Sequence, residues 1–203
     1  MKVLIVCSGN YDNYVFKLHH AFIFEQIEAV KKKYDIDYDT FFIKDQGVFG
    51  YLKNLKSLRN KVKVGKFDIV HAHYGFSGLL ATLQTLVPVV ITLHGSDINN
   101  KIKKIFSLIA RILVRATIFV SPQMTRGLKI TNSDYIIPCG INLSTFYPIT
   151  MCESRKKTEL ALEKKYILFA SNFDNYVKNY PLAKASLKIS KINAELLELK
   201  NKS

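Results

Sequence analysis

The chain has 203 residues, 48% of them hydrophobic and 23% charged, which excludes a disordered, collagenous or coiled-coil protein and leaves enough apolar side chains for a real core. At about 150 residues per domain, this length is one complete domain plus a remainder. Thirty Lys and Arg against 16 Asp and Glu leave +14, and the middle carries the field: residues 98–165 hold 12 basic and 4 acidic side chains, against 12 and 9 in residues 1–97 and 6 and 3 in residues 166–203.

The first predicted element is Lys2 to Cys7, KVLIVC, a β-branched and almost continuous apolar run of the kind that lies buried on both faces of a parallel sheet. It is too short for the apolar core of a signal peptide and no small-residue cleavage site follows, so the expected location is the cytoplasm. A loop over Ser8 to Asn13 leads to a helix from Tyr14 to Lys33, whose three closing lysines suit the negative end of a helix dipole. A strand near Ile36 to Ile43, a basic helix from Tyr51 to Val64 and the strand FDIVH, Phe67 to His71, come next. Gly75 and Gly78 open a helix to about Leu86, and Pro88 starts the strand Val89 to Leu93.

Ile98 to Arg115 then reads as a basic amphipathic helix, with Ile98, Ile102, Ile105, Phe106, Ile109 and Leu113 at helical spacing. From Ile98 to Lys129 there are seven basic residues and no acidic one. Lys101, Lys104, Arg111 and Arg115 could rest on anionic headgroups while the apolar stripe packs inward or meets lipid; an ordinary helix covering a sheet is the alternative. No helix-turn-helix, zinc or RNA-binding signature accompanies the charge, so nucleic acid is not an expected partner. The longest apolar stretch, Ile105 to Val114, is broken by Arg111 and cannot span a bilayer. Any membrane contact is therefore peripheral, on the inner face of the cell membrane.

Thr117 to Val120 is the next strand, followed by a helix opened by Pro122, a short strand at Tyr135 to Ile137 and a turn at Pro138 to Gly140. Residues 150–165 read as a polar linker. A strand from Tyr166 to Ser171, a helix from Tyr180 to Lys191 and a strand over Ala194 to Leu199 begin a second α/β unit. The fold class expected is α/β, a doubly wound parallel sheet over residues 1–165 with an incomplete second unit over residues 166–203, and ligands bind such sheets beyond the carboxyl ends of the strands. Cys7, Cys139 and Cys152 fit neither a disulfide framework nor a zinc site and are expected to be reduced and structural.

His71, His73, His94 and Asp97 fall at the carboxyl ends of two predicted strands. Alternation puts both histidines of HAH on one side, with His73 farther out and facing the crevice and His71 more buried. A neutral imidazole there donates or accepts a hydrogen bond at pH 7. Three histidines could in principle hold zinc, but no carboxylate or cysteine has a suggestive spacing, so no metal is expected. Neither G-x-G-x-x-G, nor G-x-x-x-x-G-K-[ST], nor G-x-S-x-G occurs.

Four ordered segments, FDIVHAHYGFSG (67–78), PVVITLHGSDIN (88–99), FVSPQMTRGL (119–128) and IIPCGINLSTFYP (136–148), together with FIFEQIEAV (22–30), resemble the N-terminal half of family 4 glycosyltransferases. YILFASNFDNYVKNYPLAKAS (166–186) is similar to the opening of the second domain of that family. The resemblance implies the GT-B architecture, two Rossmann-like domains, the first for acceptor and the second for a nucleotide-sugar. It implies sugar transfer with retention, in polysaccharide or glycolipid assembly, with no metal or other cofactor. His73 corresponds to the cleft histidine near the reacting carbon. His94, Asp97, Gly9 and Asn10 correspond to substrate-contacting positions, and Lys178 to a lysine on the donor diphosphate.

The sequence departs from the family pattern in two respects. No Arg stands near Asn172 or Asn175, and no Glu is followed by another eight residues on, so the donor-binding E-x7-E is absent. The alternative expectation is a truncated, non-catalytic homologue that binds acceptor or anionic membrane, or pairs with a separate donor-domain chain.

Overall fold

The computed structural model describes residues 1–199. The chain forms two compact units, Met1–Asn142 and Leu143–Ser203. This division falls ahead of the 165/166 boundary read from the sequence.

In the first unit, the strand β1 (Lys2–Ser8) has Val3 to Cys7 all buried, as a continuous apolar run requires of a strand covered on both faces. It pairs in parallel with β2 (Asp37–Ile43) on one side and β3 (Ile69–His73) on the other. The sheet continues through β4 (Val89–Leu93), β5 (Ala116–Phe119) and β6 (Asp134–Ile136), all parallel, in the order β2-β1-β3-β4-β5-β6. The chain leaves β1 in one direction and returns to its other flank at β3. That reversal creates a crevice between the carboxyl ends of β1 and β3, the place where doubly wound sheets bind ligands.

Alternate residues of the strands build two cores. Leu4, Val6, Val70, Ala72, Ile91, Leu93 and Phe119 face α4 (Leu55–Gly65), α5 (Gly75–Thr82) and α7 (Lys101–Leu113). Val3, Ile5 and Cys7 face Ile23 and Ile27 of α2 (Ala21–Lys33). Two helices read as single ones are broken. Tyr14 to Lys33 is α1 (Phe16–His19) and α2, divided at His20 with φ −131° and ψ 47°, and the helix read at 51–64 is α3 (Gly47–Lys53) followed by α4. Pro122–Thr125 forms a single 3₁₀ turn.

The basic helix is also divided. Asn100 accepts hydrogen bonds from the amides of Ile102 and Lys103, which ends α6 (Gly95–Asn99) and starts α7. α7 packs on α5 through small residues. A Cβ on Gly75 would lie 2.0 Å from Ser107 Oγ, and one on Gly78 would lie 3.8 Å from Ala110 Cβ and 2.5 Å from Ile91 Cγ2. Because this close approach uses Ser107 and Ala110, the isoleucine stripe is turned outward: Ile102, Ile105, Ile109, Ile112 and Leu113 are exposed. Arg111 is not free for headgroups, since Nε and Nη2 grip both carboxylate oxygens of Asp134 at 2.9 and 2.5 Å.

The second unit is a β-α-β element. β7 (Tyr166–Phe169) pairs in parallel with β8 (Glu195–Glu198) across α9 (Tyr180–Ser190), and residues read as linker contain α8 (Met151–Thr158), capped by Thr150. Leu168, Leu182 and Ile189 are exposed. Of the three cysteines, Cys7 is buried, with its thiol pushed up to about 12 by burial, whereas Cys139 and Cys152 are exposed and free rather than core residues.

Candidate functional site

The site begins with how two strands end. β3 runs to His73, two residues beyond the expected end at His71, and His73 pairs with Thr92 of β4. The next residue, Tyr74, takes φ 72° and ψ 149°, a region that side chains with a Cβ rarely enter. Hydrogen bonds hold it there from both sides: its amide donates to the Thr92 carbonyl at 3.0 Å and its own carbonyl accepts from Gly78 at 2.9 Å. Asp97 completes the restraint. One carboxylate oxygen accepts the Gly75 amide at 3.0 Å and the other the His94 amide at 2.7 Å, so a single buried side chain ties the β3–α5 junction to the β4–α6 junction. Burial raises the Asp97 pKa, and these two amides oppose the rise.

All five histidines of the chain lie in one connected group of rings at this edge. His71 and His73 sit 4.5 Å apart, centroid to centroid, on the sheet face shared with Ile5; His73 stacks on His94 at 5.6 Å. His94 meets Tyr74 at 4.7 Å and Phe22 at 4.8 Å, Tyr74 meets His20 at 6.2 Å, and Tyr11 reaches His20 and His19 at 5.8 and 4.6 Å. The network thus spans the crevice from the loop after β1 to the ends of β3 and β4. Polar atoms link it as well: Tyr14 Oη lies 3.1 Å from His20 Nδ1, His71 Nε2 lies 2.8 Å from Thr92 Oγ1, and His73 Nδ1 lies 3.3 Å from His94 Nε2.

The rings of His71, His73 and His94 are neutral at pH 7. Burial lowers the pKa of His71 and of His94 to about 4, aided by the neighbouring imidazole in each case, and lowers that of His73 well below 6.5. A neutral imidazole has one donor and one acceptor. Nδ1 of His73 faces His94, which leaves His73 Nε2 buried with no hydrogen-bond partner; Ser77 Oγ nearby in sequence is in the same condition.

The expected site residues divide into groups. His73, His94 and Asp97 come together, but His73 is 1% exposed while His71 is half-buried, the reverse of the expected order. The reason is the longer β3: His73 is still a sheet residue, covered by the His94 ring. Gly9 and Asn10 lie across the crevice. The Gly9 amide donates to Ile43 O at 2.8 Å, a Cβ there would meet Phe42 Cβ at 2.8 Å, and Asn10 Nδ2 donates to Asp45 O at 2.6 Å, so both join the ends of β1 and β2. Lys178 belongs to the second unit, at the end of the 3₁₀ turn Tyr176–Lys178, where it is exposed. Among the described residues, no three His, Cys, Asp or Glu are grouped to hold a metal ion. Sequence reasoning missed Tyr11, Tyr14, His19, His20 and Tyr74. Their signal was position, since they follow β1 and β3 at the carboxyl edge.

Residues 16–145, well over half of the chain, match the model of Glycosyltransferase Family 4. The chain belongs to this family. Over 137 residues, 58% of the chain, it is 28% identical to the UDP-Gal:alpha-D-GlcNAc-diphosphoundecaprenol alpha-1,3-galactosyltransferase of Escherichia coli, and the match covers 35% of that protein. Among solved structures, this family 4 chain is similar to sucrose-phosphate synthase from Thermosynechococcus elongatus, with a TM-score of 0.65 at 14% identity, covering 97% of the chain and 61% of the synthase. It is also similar to HepE of Anabaena in complex with UDP and glucose, with a TM-score of 0.60 at 11% identity, covering 99% of the chain and 70% of HepE. MnaA of S. aureus, in a co-structure with UDP, gives a TM-score of 0.60 at 12% identity, covering the whole chain and 63% of MnaA. These likenesses show the fold, GT-B at its N-terminal part, and the chain spans about a third of the curated relative's length and under two thirds of the synthase.

Proposed function

We propose that this chain supplies the acceptor-binding half of a glycosyltransferase that moves a sugar, with retention and without a metal ion, from a nucleotide-sugar onto a polysaccharide or glycolipid acceptor. The observation that carries this reading is the placement of a neutral His73, with an unpartnered Nε2, at the crevice of a family 4 domain. Once the His94 ring that covers it swings aside, an imidazole held neutral by burial exchanges hydrogen bonds with sugar hydroxyls without bringing a competing positive charge to the reacting carbon. His94 and Tyr74 wall the site. Asp97 acts at one remove, by fixing both strand ends. Lys178, a cation in the second unit, is suited to a leaving diphosphate.

The substrates of the relatives guide the choice of probes. UDP appears in the names of the E. coli transferase and of two similar structures, and the E. coli protein's name specifies a sugar on a lipid diphosphate. A lipid-linked acceptor also suits the outward isoleucines and lysines of α7, through which the protein would rest on the inner face of the membrane. No helix among the described residues is long and apolar enough to cross it.

The test is a set of long-range ¹H–¹⁵N spectra of the five histidine rings, recorded while saccharide and lipid-linked saccharide acceptors are added. The reading expects the His73 Nε2 resonance to move on saturation with acceptor. Acceptor binding that leaves His73 Nε2 unchanged would overturn the assignment.

A further inference from the structure

We propose that the protein meets an anionic bilayer through two anchors on one helical layer, α7 and α3, so that the sheet lies parallel to the membrane and its carboxyl edge opens sideways along the lipid surface. The proposal rests on the peripheral-membrane reading above and assigns it a second contact and an orientation.

The layer is set by packing. α3 and α7 both pack on α5, one on each side, on the same face of the sheet. Three rings mark the strip between them: Tyr51 of α3 lies 5.9 Å from Phe76 of α5, which lies 4.7 Å from Phe106 of α7, and all three are partly exposed. On α7, at about 100° per residue, Ile112, Ile105, Ile109, Ile102 and Leu113 fill one arc directed away from Ser107 and Ala110, and Phe106 borders it. Ile112 is 82% exposed. On α3, Phe49 is 82% exposed, with Val48 and Leu52 exposed beside it. Two apolar ridges thus flank α5. Two anchors about two interhelical spacings apart, roughly 16–20 Å, define a plane where one helix defines only a line.

Charge complementarity selects the occupant. Residues 47–66 hold six basic side chains and no acidic one, α5 has no charged residue, and α7 carries Lys101, Lys103, Lys104 and Arg111 without an acid. Lys61 is engaged by Asp39 at 2.9 Å and Arg111 by Asp134, while Lys53, Lys56, Lys101 and Lys103 are exposed. The carboxylates next to these helices are Asp97 of the short α6, which is buried and bonded to two amides, and Asp45, which precedes α3. Apolar ridges fringed by lysine match an anionic interface, into which isoleucine and phenylalanine insert while lysines reach the headgroups. A second copy of this chain would bring the same positive charge to the same face.

The chain has no tryptophan, so Phe49→Trp and Ile112→Trp each introduce a single reporter at an exposed position, with Tyr34→Trp, beyond the end of α2, as control. Each full-length variant is mixed with vesicles of phosphatidylcholine, with or without phosphatidylglycerol, containing brominated acyl chains. Blue shift and quenching at both 49 and 112, absent at 34 and absent without phosphatidylglycerol, are the expected result. Phe49→Ser with Leu52→Ser should lower vesicle partitioning about tenfold or more, as should Ile105→Ser with Ile109→Ser, with far-UV circular dichroism unchanged. Quenching at 112 but not 49 would overturn the second anchor and leave the α7 contact standing. No quenching at either position would remove the membrane reading and this inference together. Equal quenching in neutral vesicles would overturn the charge argument, and a blue shift without vesicles accompanied by dimerisation would give the face to a second copy.

Discussion

Replacing Asp97 with alanine strands two amides at once. In the native chain its oxygens take the Gly75 and His94 N–H groups at 3.0 and 2.7 Å, and the side chain is 3% exposed, so water cannot take its place without a local opening. Each unsatisfied buried amide costs about 1–3 kcal/mol, a gross loss of about 2–6 kcal/mol. Two terms reduce it: burial of the ionised carboxylate, visible in its raised pKa, is no longer incurred, and Tyr74, freed of its clip, can relax from φ 72°, recovering part of the roughly 1–3 kcal/mol of strain stored in such a conformation. The expected net loss is about 2–4 kcal/mol, with Asp97→Asn intermediate because it keeps one acceptor. Urea denaturation followed by circular dichroism reads the loss as a midpoint lowered by about 1–2 M, and amide exchange reads it locally, with the Gly75 and His94 protons becoming fast. A loss under about 1 kcal/mol with the Gly75 amide still protected would refute the clip and return Asp97 to a direct role with ligand.

The histidine cluster predicts an acid-side weakening. The folded pKa values of His71 and His94 are depressed from 6.5 to about 4 by burial, so the unfolded chain binds more protons between those limits. Stability should be complete above pH 6.5, fall as the pH drops toward 4, and fall less steeply in His94→Gln, all measurable by urea titration across pH. The Arg111–Asp134 pair acts in a lower window. Asp134 is held at about 2 chiefly by its hydrogen bonds to Arg111, its side chain is 2% exposed, and the pair should contribute roughly 2 kcal/mol above pH 3.8 that disappears as the pH falls toward 2. Asp134→Asn should show this loss already at pH 7, and a carboxyl titration near 4 for Asp134 would contradict the pairing. Gly75→Ala should destabilise by about 1–3 kcal/mol or more, because its Cβ would also lie 2.8 Å from Ser107 Cα. Ser107→Gly should rescue it only in part, and a neutral effect would mean that α5 and α7 are less closely packed than described.

The sheet was legible because its evidence is local. KVLIVC and VVITL are continuous apolar runs that only a strand covered on both faces accommodates, and short Gly-containing junctions between strands and helices give a parallel order. The end of β3 was not, because HAH reads as polar while the sheet carries it inward through pairing with β4. The orientation of α7 was hidden for a different reason. Its stripe of isoleucines is plain in the sequence, but which side faces the core is decided on another helix, by Gly75 and Gly78, whose missing side chains admit Ser107 and Ala110. His73, His94 and Asp97 were locatable from strand ends alone. Their division of labour was not, since only hydrogen-bond geometry distinguishes a carboxylate that grips two amides from one that awaits a hydroxyl.

The central claim is that this family 4 domain takes part in sugar transfer through His73. The chain is incubated with radiolabelled UDP-galactose and an N-acetylglucosamine-diphosphoundecaprenol acceptor, then with a panel of other nucleotide-sugars and lipid-linked saccharides. The account predicts label in the lipid fraction for at least one pair, reduced at least about a hundredfold in His73→Ala while circular dichroism and vesicle binding stay unchanged. Transfer that proceeds at the native rate without the His73 imidazole would contradict it.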